Sequence, residues 1–164
     1  MKIQKSGKTL AQANNEDSVR CAAGNILSGL LTAKSKSIQK ANLTSSLIEL
    51  VISIRLEDCD EDHDDEDSPQ ITALELMDTI AMKMPEEEVM SFSLSFSKNA
   101  KEPKQKEVAL HILGITSEGC ADTLNENIEY LFDNLVSEAL QSSSLGLVGA
   151  GLYAGLVSLL TDSI

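Results

Sequence analysis

The residues best placed to do chemistry in this chain lie in one short run. Positions 57–67 read Glu-Asp-Cys-Asp-Glu-Asp-His-Asp-Asp-Glu-Asp, nine acids without a base. Clustered carboxylates of this kind suggest first a calcium loop. An EF-hand places acids at positions 1, 3 and 5, glycine at 6 and a bidentate glutamate at 12. A register beginning at Asp58 puts His63 at position 6 and Pro69 at 12, and one beginning at Asp60 puts Asp65 and Ile71 there, so both fail. Cys59 and His63, four apart, could touch a transition metal, but two ligands do not make a closed site. The run therefore reads as a solvated loop that attracts basic partners, with a solubilising spacer as the plainer role.

Two other constellations are weaker. Gly149-Ala-Gly151-Leu-Tyr-Ala154 matches the G-x-G-x-x-A dinucleotide fingerprint. That motif needs a strand before it and an acid about 20 residues further on. The upstream chain reads as helix, and 13 residues follow Gly151. His111 has no serine, cysteine or acid at triad-like spacing and reads as a packed or half-exposed helix residue. No nucleophile, base and stabiliser can be assembled, so the expectation is a binding protein without catalytic residues, cofactor or metal.

Composition fits that expectation. The 164 residues carry 26 acids and 13 bases; without the run, 17 acids face 13 bases, so the charge of −13 is largely one block. Such a chain repels nucleic acid and anionic membrane and favours basic partners. Aromatic residues make up 3% with no Trp, so aliphatic side chains must fill the core, which suits helix-on-helix packing. Cys21, Cys59 and Cys120 are scattered, giving no disulfide framework and pointing to a reducing compartment. The basic start, Met1 to Lys8, has no apolar stretch behind it and does not read as a signal peptide. Leu145–Leu160 is uncharged and contains a G-x-x-x-G, but 16 residues fall short of the roughly 20 a membrane span needs.

The elements around the run read as helices. The stretch before Asp17, with Leu10 and Ala13, reads as one short helix, cut at its start. Asp17 is placed to cap the next, whose stripe is Val19, Ala22, Ala23, Ile26, Leu27, Leu30 and Leu31 at the 3.6-residue period. Leu43, Leu47, Leu50, Val51 and Ile54 form another stripe. Ser68-Pro69 opens a helix with Leu74, Met77, Ile80, Ala81 and Met84, which Pro85 stops. Glu86, Glu87 and Glu88 suit a helix first turn. The strict alternation of Met90 to Ser97 is a strand signal taken alone, but Val89, Phe92 and Phe96 share one helical face, and helix is expected. Pro103 starts a helix with Val108, Ala109, Ile112, Leu113 and Ile115. The last carries Leu124, Ile128, Leu131, Phe132, Leu135, Val136, Ala139 and Leu140 as one element.

These helices repeat. Ala23 and Leu27 correspond to Ala73 and Met77, then to Ala109 and Leu113, at spacings of 50 and 36 residues. Discounting the acidic insertion brings the first near 39, close to the roughly 40-residue period of HEAT-type units. Asp17-Ser-Val-Arg-Cys-Ala-Ala resembles the second-helix signature of HEAT repeats. Lys106-Glu-Val-Ala-Leu-His-Ile-Leu-Gly-Ile-Thr-Ser-Glu-Gly-Cys120-Ala-Asp resembles a second helix of the importin-β (karyopherin-β) nuclear transport receptors. The order of repeat, acidic loop, Pro-Glu-rich helix and Glu-Gly-Cys-Ala-Asp ending is similar to the middle of their importin-4 branch, across about residues 8–141.

The expected fold is accordingly all-α, a HEAT-repeat α-solenoid of about four helix pairs over 1–141, followed by a Gly/Leu-rich segment, 142–164. Apolar ends and that segment would favour self-association. The resemblance implies protein transport: recognition of basic nuclear-localisation segments, release by the GTPase Ran, and residence in cytoplasm and nucleus. The residues it assigns to partner binding are Glu57, Asp58, Asp60, Glu61, Asp62, Asp64, Asp65, Glu66 and Asp67. The alternative is a HEAT-repeat scaffold, such as a phosphatase or translation-complex subunit.

Overall fold

The computed structural model of the chain describes residues 2–12, 16–57 and 68–141. They are helical: α1 (Lys2–Ala11), α2 (Asp17–Lys40), α3 (Thr44–Arg55), α4 (Pro69–Lys83), α5 (Glu86–Asn99), α6 (Pro103–Thr116), α7 (Ala121–Glu126), α8 (Ile128–Leu131), a π-helical turn (Phe132–Val136) and α9 (Ser137–Leu140). The chain divides into two compact units, Met1–Met84 and Pro85–Ile164. Among the described residues no helix is long and apolar enough to cross a membrane.

In the first unit α1 packs on α2 and α3 on α4, while α1 also meets α3 and α2 meets α4. The α2–α4 contact is the tightest. Gly24, early in α2, lies against Thr72, early in α4. At the far ends Gln39 Nε2 donates to the Lys83 carbonyl at 3.3 Å. The two helices therefore lie side by side and run in the same direction. This is a helical repeat-like arrangement, in which like helices of successive hairpins stack in parallel.

The inward face of α2 is Arg20, Cys21, Ala23, Gly24, Leu27, Leu31 and Ile38. The expected stripe was too wide, because Val19 is 45% and Ile26 54% exposed. Nor does Asp17 cap the helix. Glu16 occupies that position without a side-chain cap bond, and Asp17 is the first helical residue. Lys34 leaves helical geometry (φ −137°, ψ 26°) and kinks the helix near its C-terminal third. On α4 the opening is as the sequence suggests: Ser68 Oγ accepts from the Ile71 N–H at 3.2 Å, and Pro69 takes the first position, where no N–H is needed.

In the second unit the alternating stretch is helix, within α5. Its buried face is Val89, Met90, Ser93, Leu94 and Ser97, with Phe92 and Phe96 half-buried at its flanks, so the face is rotated from the expected one. Ser97 Oγ donates to the Leu94 carbonyl at 2.9 Å, and α5 packs on α6, where Thr116 Oγ1 lies 3.8 Å from Met90 Sδ. Gln105 Oε1 accepts from the Glu102 and Lys101 N–H groups at 3.2 and 3.0 Å and fixes the start of α6. His111 is half-buried on α6.

The expected single helix after Cys120 is broken. Asn127 (φ −111°, ψ 7°) separates α7 from α8, its Nδ2 donating to the Thr123 carbonyl at 2.8 Å. An asparagine that bonds its own preceding turn competes with helix propagation, which accounts for the break. Glu86 Oε1, in the first turn of α5, accepts from the Thr123 N–H at 2.6 Å and holds α7 in place. Lys98 Nζ sits 5.0 Å from the Tyr130 ring centroid, and Lys106 pairs with Glu138.

Candidate partner-binding site: the anchored acidic insertion

Of the nine acids assigned to partner binding, Glu57 falls within the described residues. Asp58, Asp60, Glu61, Asp62, Asp64, Asp65, Glu66 and Asp67 lie outside them, as do Cys59, His63, the 149–154 motif and the whole 142–164 segment. What the structure describes is how the run is held at its two ends.

The first anchor is an arginine. Arg20 is 3% exposed in the first turns of α2, where an apolar residue would ordinarily pack. Its Nε donates to the Leu10 carbonyl at 2.8 Å, satisfying one of the carbonyls that the end of α1 leaves without a helical partner. Its Nη2 donates to both carboxylate oxygens of Glu57, at 2.9 and 2.7 Å. Asp17 Oδ1 lies 3.8 Å from Nη1. A planar guanidinium with its donors fixed in a fork suits such a junction better than an ammonium would. One side chain thus ties together the end of α1, the start of α2 and the residue that begins the acidic run.

The second anchor is the Ser68–Pro69 cap on α4. Because α2 and α4 run parallel, both anchors stand at the N-terminal ends of these helices, where the backbone carries partial positive charge. Lys34, Lys36 and Lys40 of α2 and Lys83 of α4 stand at the opposite ends.

Glu57 differs from its neighbours in the sequence. It is spent on Arg20, with its side chain 26% exposed, so the carboxylates left to meet a partner begin after it. Sequence reasoning missed Arg20 as the anchor; the available signal was a lone arginine among Cys21, Ala22 and Ala23 on an otherwise apolar helix.

Among the described residues the cysteines, Cys21 and Cys120, are buried and form no disulfide. Burial, and secondarily the charge of Glu86, pushes the Cys120 thiol up to about 11, the opposite of a nucleophilic thiolate. Among the described residues no group of three or more His, Cys, Asp or Glu is gathered as a metal site. No protein-family model matches this chain, and no curated protein sequence matches it.

Proposed function

We propose that this chain is a protein-recognition segment built of HEAT-type helical repeats, similar to the middle of an importin-β nuclear transport receptor, and that it carries out no catalysis. On this reading its helix pairs form an α-solenoid. The acidic insertion holds Lys/Arg-rich localisation segments of cargo, Ran in its GTP form releases them, and the protein moves between cytoplasm and nucleus. The observation that carries the reading is that the two described residues bounding the acidic run, Glu57 and Ser68, are held by hydrogen bonds at the N-terminal ends of the parallel helices α2 and α4. A merely solubilising spacer needs no such attachment. Ala23, Leu27, Ala73, Met77, Ala109 and Leu113, the positions that repeat along the sequence, are all buried. That supports their equivalence as inner positions of successive hairpins.

The test is binding of a fluorescent basic localisation peptide, followed by anisotropy. Individual exposed ion pairs contribute about 0–1 kcal/mol, but a block of like charge acts together on encounter. The peptide should bind weakly, and more weakly as salt shortens the Debye length from about 10 Å at 0.1 M to about 3 Å at 1 M. Replacing Asp60, Glu61, Asp62, Asp64, Asp65, Glu66 and Asp67 with Asn or Gln, while keeping Glu57, should remove most of the binding and leave helical content unchanged. Equal binding by the neutralised chain would reduce the run to a spacer. Failure to bind both the peptide and Ran-GTP would favour the scaffold reading.

A further inference from the structure

Among the described residues, helix α2 carries a second apolar lane that is largely exposed. Ile26 comes two residues after Gly24, which meets α4, and so lies about 200° further round the helix. It is 54% exposed, Val19 on the same lane is 45% exposed, Ala22 and Ala33 are exposed, and Leu30 is half-buried. At Gly29, on the edge of this lane, an added Cβ would meet no heavy atom within 4 Å. The lane lies wholly on the part of α2 before the kink at Lys34.

Its order along the helix is symmetric. Taken about Ile26, positions four away are Ala22 and Leu30, and positions seven away are Val19 and Ala33. Laid antiparallel on itself with a two-fold axis at Ile26, the helix sets each small residue against a large one. Ala22 faces Leu30 of the second copy, Ala33 faces Val19, and Ile26 meets its own equivalent. The flanking charges follow the same symmetry. Glu16, exposed at the start of α2, comes beside Lys34 of the second copy, and the antiparallel helix dipoles oppose favourably. An isologous interface requires a patch complementary to itself under a two-fold axis. This lane meets that requirement in size and in charge.

We propose that this face of α2 is a homodimer interface, with a second copy of the chain packed antiparallel across it and the axis at Ile26. The contact is about four turns of one helix, so the dimer is weak, with a Kd on the order of 10–100 µM. The inference does not rest on the cargo reading, and its readouts involve no peptide.

Sedimentation equilibrium of the full chain should show a reversible monomer–dimer exchange in that range. Ile26→Glu should weaken it at least tenfold with an unchanged far-ultraviolet spectrum, since the side chain is exposed in the monomer. Glu16→Lys alone and Lys34→Glu alone should each dimerise poorly, while an equimolar mixture of the two should dimerise as well as the parent. The register has its own test in a Cys59→Ser background. Ile26→Cys should form a disulfide between copies. Ala33→Cys should not join itself, because the two sites are about 21 Å apart along the antiparallel pair. It should join Val19→Cys in a mixed sample. A monomer at ten times the stated concentration, a dimer indifferent to Ile26→Glu, or self-joining of Ala33→Cys as efficient as that of Ile26→Cys would each overturn the proposal.

Discussion

Gly24 and Gly29 are the same residue type, five positions apart on one helix, and replacing each by alanine should change stability in opposite directions. An ideal Cβ at Gly24 would stand 2.3 Å from Thr72 Cγ2, against 3.6 Å to Thr72 Cβ and 3.7 Å to Leu10 Cδ1. Carbon atoms in contact prefer roughly 3.5–4.0 Å, so the conflict is with a single methyl group and amounts to more than an ångström. Thr72 is buried, and a β-branched side chain in a helix has few χ1 positions to escape to. Overpacking of this kind costs about 1–3 kcal/mol. Alanine regains about 0.5–1 kcal/mol of helix propensity over glycine. The expected net result for Gly24→Ala is a loss of about 1–2 kcal/mol. At Gly29 there is nothing to meet, so Gly29→Ala should gain about 0.5–1 kcal/mol. Removing the offending methyl by Thr72→Ser in the Gly24→Ala background should recover most of the loss, with a coupling of about 1–2 kcal/mol in a double-mutant cycle. Urea unfolding followed by circular dichroism, compared at constant m, measures all four. If Gly24→Ala stabilises as much as Gly29→Ala, α2 and α4 do not approach as closely as described, and their parallel stacking loses its main support.

Three further outcomes follow from the anchors and the buried thiol. Glu57→Gln should cost about 1–3 kcal/mol, below the roughly 3–5 kcal/mol for breaking a fully buried pair, because Glu57 is partly exposed. Glu61→Gln, in the same run, should be neutral in the same urea titration. Ser68→Ala should cost about 1 kcal/mol by removing the cap on α4, and proteolysis near residue 68 should quicken. The Cys120 thiol ionises near 9 when exposed and near 11 in the folded chain, so the unfolded state loses its proton first. The associated stability is therefore complete below pH 9 and is lost as pH rises from 9 towards 11, with a slope of up to about 1.4 kcal/mol per pH unit. Cys120→Ala should flatten that part of the stability–pH curve, and an unchanged slope would place the thiol in water.

The helix boundaries were legible because punctuation residues act locally. Pro69, Pro85 and Pro103 mark starts through a fixed φ and a missing N–H, whatever the helix later packs against. Helix faces are decided elsewhere. On α2 two adjacent lanes, Val19–Ala22–Ile26 and Ala23–Leu27–Leu31, are equally apolar, and periodicity merges them into one stripe. The Leu10 carbonyl and the Glu57 carboxylate draw Arg20 inward, and that selects the second lane. On α5 the phenylalanines were natural candidates for the core, yet the buried face carries Ser93 and Ser97 and leaves Phe92 and Phe96 half-buried at its flanks. Glu57 was illegible for a different reason. Nine similar acids in eleven residues give no local signal for which one an arginine 37 positions earlier will take.

The choice of an arginine at position 20 bears on what the insertion is for. A buried ion pair is seldom a gain over a well-packed apolar pair of similar size, because desolvation offsets most of the attraction. The contact between α1, α2 and α3 could be filled by aliphatic side chains at no loss of stability. An aliphatic contact, however, slides: it does not distinguish Glu57 from a neighbour as the point where the chain leaves the fold. A guanidinium bonded to the Leu10 carbonyl by Nε and to both oxygens of one carboxylate by Nη2 accepts one register. The same reasoning applies at the other end, where Ser68 Oγ accepts from the Ile71 N–H and caps α4. Both ends of the insertion are therefore set by directional bonds. Directional bonds at those two points fix where a dense negative charge is attached relative to the helices. On the proposed function, that attachment gives a partner of opposite charge a defined place to bind, which a solubilising spacer does not require.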